Sequence, residues 1–416
     1  MADWKNYKGQ YPWGINPVTG KTTYNEGSKL ATVNNPVWNF PAQGSLPITP
    51  GHNPCGYWHR GYNSTPSPLP ILPSSWLIWA TGYNYNGQLG LGDITTRFIF
   101  TQAEINKCSQ IACGDNHSLA IQEDGTLWGT GYNGYGQLGL GDTTDRFIFT
   151  QLDINKWKQV AGGRYHSLAI REDGTLWAVG RNNRGQLGLG DNYNKYVFTQ
   201  VGSAHWKQIA CGAEFSLAIQ EDGTLWSTGY NPVGELGLGD STARNVFTYT
   251  ELNFCTQIAC GDNHSVAIQE DGTLWGTGHN YYGQLGSSDT SNKYEFVQIS
   301  SGVWKQVSCG GRHTLVIDNN GTLWATGYNN DGQLGLGNNI IRRAFVQTEL
   351  ISCRQVSCGI NYSIAAQINN TFWGTGYNIN GELGLGYAST RYEFTSIDIN
   401  SDGQVACGHN HSLILV

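Results

Sequence analysis

The sequence predicts an all-β chain, a seven-bladed β-propeller, on three observations: an unslipped period of 49 residues, four short strand patterns in each period, and complementary half-units at the two ends. Trp79, Trp128, Trp177, Trp226, Trp275, Trp324 and Trp373 stand 49 apart, as do Phe100, Phe149, Phe198, Phe247, Phe296, Phe345 and Phe394. A third column runs Cys113, Gly162, Cys211, Cys260, Cys309, Cys358 and Cys407. From Trp79 to Cys407 the register holds, so no unit carries an insertion or a deletion.

Within one period the strands follow in order as QIACG (110–114), HSLAIQ (117–122), TLWGTG (126–131) and FIFTQ (147–151). Each is four to six residues long and bounded by Gly, Asn and Asp, the residues that favour turns. The first Trp-bearing strand, 76–81, has no CG and HSLAI strands before it, and the chain finishes with QVACG and HSLILV alone. Two orphan strands at each end predict one shared blade, closed by pairing the C-terminal strands with the N-terminal ones and removing two sheet edges.

Composition excludes other classes. Charged residues are 13% of 416, about half the usual share. With 56 Gly, this argues against a helical bundle or a coiled coil. Fifteen Trp, 22 Tyr and 13 Phe supply a core and argue against wholesale disorder. No apolar run approaches the roughly 18 residues of a membrane span, and MADWKNYKGQ lacks the apolar stretch of a signal peptide, so no membrane insertion is expected. A net charge of −7, with +3 in residues 1–75 and −10 in the remainder, does not suggest a nucleic-acid partner. Most of the ten Cys recur at one position of the repeat, which points to buried free thiols rather than a disulfide scaffold.

The run ACGDNHSLAIQEDGTLWGTGYNGYGQLGLGD (112–142) resembles the repeats of the regulator of chromosome condensation family, and the resemblance extends over about 76–416. It implies a seven-bladed propeller with two-plus-two closure. It leaves function open, because that propeller hosts exchange factors, ubiquitin-ligase domains, enzyme inhibitors and phage proteins.

The repeated columns read as structural. His117, His166, His264, His313 and His411 share one slot, each followed by Ser or Thr, which invites a hydrolase reading. Five copies answer a packing demand rather than one asymmetric active site, and Phe215 and Tyr362 fill the same slot without acid-base chemistry. No enzyme and no cofactor are expected. GQLGLGD lacks the Lys-Ser/Thr of a phosphate loop and reads as a Gly-rich turn. The basic column from Arg97 to Arg391 is expected to pair with Asp93, Asp142, Asp191, Asp240 and Asp289, either four residues earlier or further round the ring, in solvated structural pairs rather than with an anionic partner.

Function is expected where the repeats disagree. The turn after each CG and the loop after TGYN emerge on one face because successive antiparallel strands reverse direction. The most variable positions lie in those turns, and the candidate partner-binding set is Asp115, Asn116, Arg164, Tyr165, Glu214, Asp262, Asn263, Arg312, Asn361 and His409. The neighbouring loop adds Tyr and Arg, residue types that dominate binding hot spots.

Residues 1–75 hold eleven of the 12 Pro and read as an extended arm, distinct from the propeller of 76–416. Trp4, Trp13, Trp38 and Trp58 are candidate anchoring residues. His52, Cys55 and His59 have metal-ligand spacing but no evident fourth ligand, so no metal is assigned. The functional reading is a non-enzymatic binding and structural module of a virion: a phage capsid decoration or tail protein held to capsid or tail proteins by its arm, with an outward face for a host-surface or other protein ligand. The alternatives are a cellular, cytoplasmic regulator such as a nucleotide-exchange factor or chromatin-associated propeller, and a secreted enzyme inhibitor. An uninterrupted period with no wedge insertion and a weakly basic N-terminal segment weigh against the exchange factor.

Overall fold

A computed structural model describes residues 76–416, which hold 27 β-strands and form an all-β repeat fold. The arm residues Trp4, Trp13, Trp38 and Trp58 and the triplet His52, Cys55 and His59 lie outside the described residues.

The first strands are β1 (Ile78–Gly82), β2 (Arg97–Gln102), β3 (Cys108–Cys113), β4 (His117–Gln122), β5 (Leu127–Gly131) and β6 (Arg146–Asp153). β3 to β6 form an antiparallel four-stranded sheet in chain order, and this unit recurs along the chain. β1 pairs with β2 on one side and with His411–Leu415 on the other, from Ile78 opposite Leu415 to Gly82 opposite His411. Val405–Cys407 completes that sheet.

One unit departs from separate strands. Lys195–Cys211 runs unbroken for 17 residues and joins two units into a seven-stranded sheet. In the preceding unit Asp153 accepts a hydrogen bond from the Asn155 amide at 2.8 Å and turns the chain between strands. Gly202 occupies the Asp153 position and offers no side-chain acceptor, so the extended backbone continues.

The core lies between sheets rather than in one central mass. Leu119, Ile121, Leu127 and Leu138 of one unit pack with Trp157, Val160 and Ala169 of the next, and equivalent clusters recur. The Trp column is half-buried and polar at its edge: Asp124 accepts from the amide and hydroxyl of Thr126, whose oxygen accepts from Trp128 Nε1 at 3.0 Å.

Two sets of side chains tie neighbouring units together. Gln110 accepts from Val160 N, Gln159 from Ile209 N, Gln208 from Ile258 N, Gln257 from Val307 N, Gln306 from Val356 N and Gln355 from Val405 N, at 2.7–3.1 Å. Gln404 accepts from Ile111 N at 3.4 Å, so the last unit reaches the first. In the second set, His117 meets Ser167, His166 meets Ser216, His264 meets Thr314, His313 meets Ser363 and His411 meets Ser118, at 2.9–3.0 Å. Tyr362 Oη lies 3.0 Å from Ser412 Oγ, while Phe215 supplies an apolar ring.

These contacts fix the imidazole tautomer. Each hydroxyl already donates to a backbone carbonyl, as Ser118 does to Gln88 O at 2.7 Å and Ser167 to Gln137 O at 2.8 Å. The histidine Nε2 must therefore be the donor, which leaves Nδ1 an unpartnered acceptor. The ring also explains the CG glycine, because a Cβ on Gly114 would collide with the His117 ring and with the carbonyl oxygen of Gly163. Burial pushes His117 down to about 4 and His166, His264, His313 and His411 to about 3.

Two outcomes follow from these ties. Removing residues 411–416 strips β1 and Val405–Cys407 of the strand between them. Thermal denaturation should show aggregation or a Tm lowered by more than about 10 °C, and unchanged melting would contradict the pairing. The second outcome is acid sensitivity. The unfolded chain protonates these histidines below about 6.5, whereas the folded chain resists until about 4 to 3, so their contribution is whole above pH 6.5 and drains away as pH falls. Urea midpoints should drop between pH 6.5 and 4, and His313→Phe, which copies Phe215, should remove one proton from the uptake on unfolding. A profile unaffected by that substitution would refute the assignment.

Candidate functional site

The two loops of the variable face are joined through the backbone. The carbonyl of each second residue after CG accepts from the TGYN loop: Asn116 O from Tyr132 N, Tyr165 O from Arg181 N, Asn263 O from His279 N, Arg312 O from Tyr328 N and Asn361 O from Tyr377 N, at 2.8–2.9 Å. A regular scaffold thus presents side chains that differ from unit to unit.

Asp115, Arg164, Asp262 and His409 come together at the mouth of an axial cavity of about 310 Å³ walled by the small residues of the CG column. Arg164 Nε donates to Asp115 Oδ2 at 3.0 Å, and His409 Nδ1 lies 3.5 Å from the same oxygen. Burial would raise the Asp115 carboxyl, but the hydrogen bonds and charges of His409 and Arg164 hold it below the usual range. Among the described residues Asp262 makes no ion pair, and burial with the Asp115 charge pushes it up. Burial would lower His409, yet Asp115 and Asp262 outweigh it and raise its pKa. Opposite charges therefore alternate around a partly dehydrated rim.

Away from the axis, Glu214 is held by Arg181 at 2.8 Å and Arg184 at 3.6 Å. Arg181 lies over the rings of Tyr135 and Tyr165, and Arg184 over Tyr230 at 4.6 Å. Tyr132, Tyr135 and Tyr165 form one aromatic cluster with centroids 5.0–6.3 Å apart. Exposed Arg312 covers Tyr282, which packs against Tyr281 and Tyr328. Asn361 accepts a long bond from Gln333 at 3.5 Å. Asn116 and Asn263 contribute their carbonyls to the loop contacts and, among the described residues, no side-chain hydrogen bond. The ten candidates thus divide into an axial quartet, two Arg-Tyr clusters and three asparagines.

Sequence reasoning missed Glu235 and Glu382, fully buried where other units have Gln. Burial pushes both up to about 7, so these carboxyls take up a proton far more readily than an exposed glutamate does. Their only signal is GELG in place of GQLG.

The hydrolase reading fails on chemistry. Every His-Ser pair is fully buried and spans two units, and the hydroxyl proton is committed to a carbonyl. The thiols are equally committed: Cys113 donates to Ala406 O and Cys407 to Ser357 O, and burial pushes Cys407 up to about 11. The basic column pairs as expected in five units, with Arg97 to Asp93 at 2.6 Å and the other four pairs at 2.7 Å.

The model of the regulator of chromosome condensation (RCC1) repeat matches residues 77–121, 124–170, 173–219, 222–268, 271–317 and 320–366. The fold is similar to human WBSCR16, with a TM-score of 0.76 and 23% identity over 82% of this chain and 98% of that one. It is also similar to yeast RCC1 (Prp20) in its complex with Kap60, with a TM-score of 0.75 and 20% identity over 83% and 89%. Prp20p of Saccharomyces cerevisiae, described with its binding properties to Gsp1p and histones, gives 0.74 and 21% over 83% and 92%. No curated protein sequence matches the chain.

These findings overturn the phage and virion reading, its capsid or tail partners and its virion location, because the repeats match the RCC1 family and the solved structures of similar fold are human and yeast proteins. The physical reason for the error is that the composition belongs to the scaffold. Glycines at left-handed turn positions such as Gly92 and Gly141, and neutral Gln, Ser and His links between units, lower the charge and raise the glycine content whatever the setting. The chain belongs to the regulator of chromosome condensation (RCC1) repeat family.

Proposed function

We propose that this chain is a non-enzymatic regulatory module, of the class of nucleotide-exchange and chromatin-associated propellers, that engages a protein partner through the face formed by its CG turns and TGYN loops. Residues 76–416 are read as a closed seven-bladed propeller, supported by the pairing of β1 with His411–Leu415 and the return of Gln404 to Ile111. Residues 1–75 are read as a separate N-terminal segment.

One observation carries the reading. On a scaffold whose inward residues repeat, Asp115, Arg164, Asp262 and His409 place unequal charges around one axis, flanked by Arg-Tyr clusters that include Tyr165, Glu214 and Arg312. Arginine and tyrosine offer contact area with hydrogen-bonding capacity, and an ordered set of charges selects partner and orientation. Asn116, Asn263 and Asn361 add polar groups at the same level.

Gsp1p, histones and Kap60 are the partners to test, because the solved relatives were described with them. Purified full-length chain should bind at least one in calorimetric titration. Replacing Arg164, Tyr165 and Arg312 together with Ala should weaken that binding at least tenfold, with on the order of 2 kcal/mol lost at each true hot spot, while the Tm stays near that of the parent. Undiminished affinity in the triple variant would move the interface elsewhere. No binding to any of the three would remove this partner class.

A further inference from the structure

The outer rim carries a second departure from regularity. In two units the carboxylate that neutralises the rim cation is missing: Asn338 precedes Arg342, and Tyr387 precedes Arg391. Arg391 lies over the Tyr387 ring at 4.6 Å. Among the described residues Arg342 has only the Asn338 amide oxygen, 3.4 Å from an Nη, and the buried Nε of Arg342, like that of Arg391, has no partner.

Arg343 adds a second guanidinium. It is exposed and makes no ion pair among the described residues, at a position held elsewhere by Phe98, Phe147, Tyr196, Asn245, Tyr294 and Tyr392. Ala344 follows, where most units have a larger Ile, Val or Glu. Across the groove, Ser288 replaces the glycine of the other units and is held at φ 66°, a left-handed conformation disfavoured for an L-residue. Its amide donates to Arg343 O at 2.8 Å, as the glycine amide does in the other units.

These departures converge on one open cavity of about 1080 Å³, lined by Tyr281, Tyr282, Ser288, Asn339, Arg342 and Arg343. We propose that this groove binds an acidic peptide segment of a protein partner, with the two guanidiniums receiving its carboxylates and the tyrosines and Ile340 receiving its aliphatic parts. Charge complementarity carries the assignment, because Arg342 lacks the carboxylate that five other units supply and Arg343 is an added cation with no ion pair among the described residues. The groove exceeds one inorganic anion. Two arginines on a chain of net charge −7 are too few for a nucleic-acid track. The inference goes beyond the axial face and does not depend on Arg164 or Tyr165.

The test is fluorescence anisotropy of the full-length chain with a fluorescein-labelled oligoglutamate of about eight residues, at low and physiological ionic strength. Saturable binding weakened by salt is expected. Asn338→Asp, which restores the pairing found in five units, and Arg343→Gln should together weaken it about tenfold. The double substitution of Arg164 and Tyr165, neither of which lines the groove, should leave it unchanged, which separates this groove from the axial face. Absent saturable binding, equal binding by the Asn338→Asp/Arg343→Gln variant, or tighter binding of an oligothymidylate of equal charge would overturn the proposal.

Discussion

Everything in this fold depends on neutral hydrogen bonds that cross from one sheet to the next near the axis. Gln110 and its counterparts accept backbone amides of the neighbouring unit, and each buried imidazole donates to a hydroxyl one unit on. An unmade bond at such a site costs the full desolvation of the group left behind, about 1–3 kcal/mol, so the same residue types are demanded in unit after unit. Charged groups would meet a still larger penalty there, and the scaffold avoids them.

That constraint divides labour within the repeat. Positions that touch a neighbouring unit are fixed by it: the CG glycine by the carbonyl of the next unit, as Gly114 is by Gly163 O, and the hydroxyl by the imidazole of the preceding unit. Positions outside these links are free to vary. The axial quartet, the Arg-Tyr clusters and the Arg342–Arg343 groove all lie among these free positions, where the departures from symmetry gather.

Much of the scaffold was legible because its signal repeats. The Trp and Phe columns set the strands, and Phe215 and Tyr362 in the His slot marked that column as structural. The Gln column is as regular but went unread, because a glutamine in a strand carries no sign that it serves a neighbour 50 residues away. The composition misled for the opposite reason, since glycine and low charge are demands of the turns and of the links between units. For the site, the turn residues were legible as variable, yet their grouping was not. Arg181 and Glu214 meet across 33 residues, and Arg164 meets Asp115 across 49. Asn338 was visible as a change of one letter, but its consequence needs the knowledge that its five counterparts neutralise a cation.

The claim that neutral links join the units can be read at the histidines themselves. Nitrogen-15 chemical shifts of the imidazoles at neutral pH separate the two neutral tautomers from the cation. The account predicts that His117, His166, His264, His313 and His411 are neutral with the proton on Nε2, because each partner hydroxyl has already given its own proton to a carbonyl. Imidazolium signals, or the proton on Nδ1, at these five positions would contradict it.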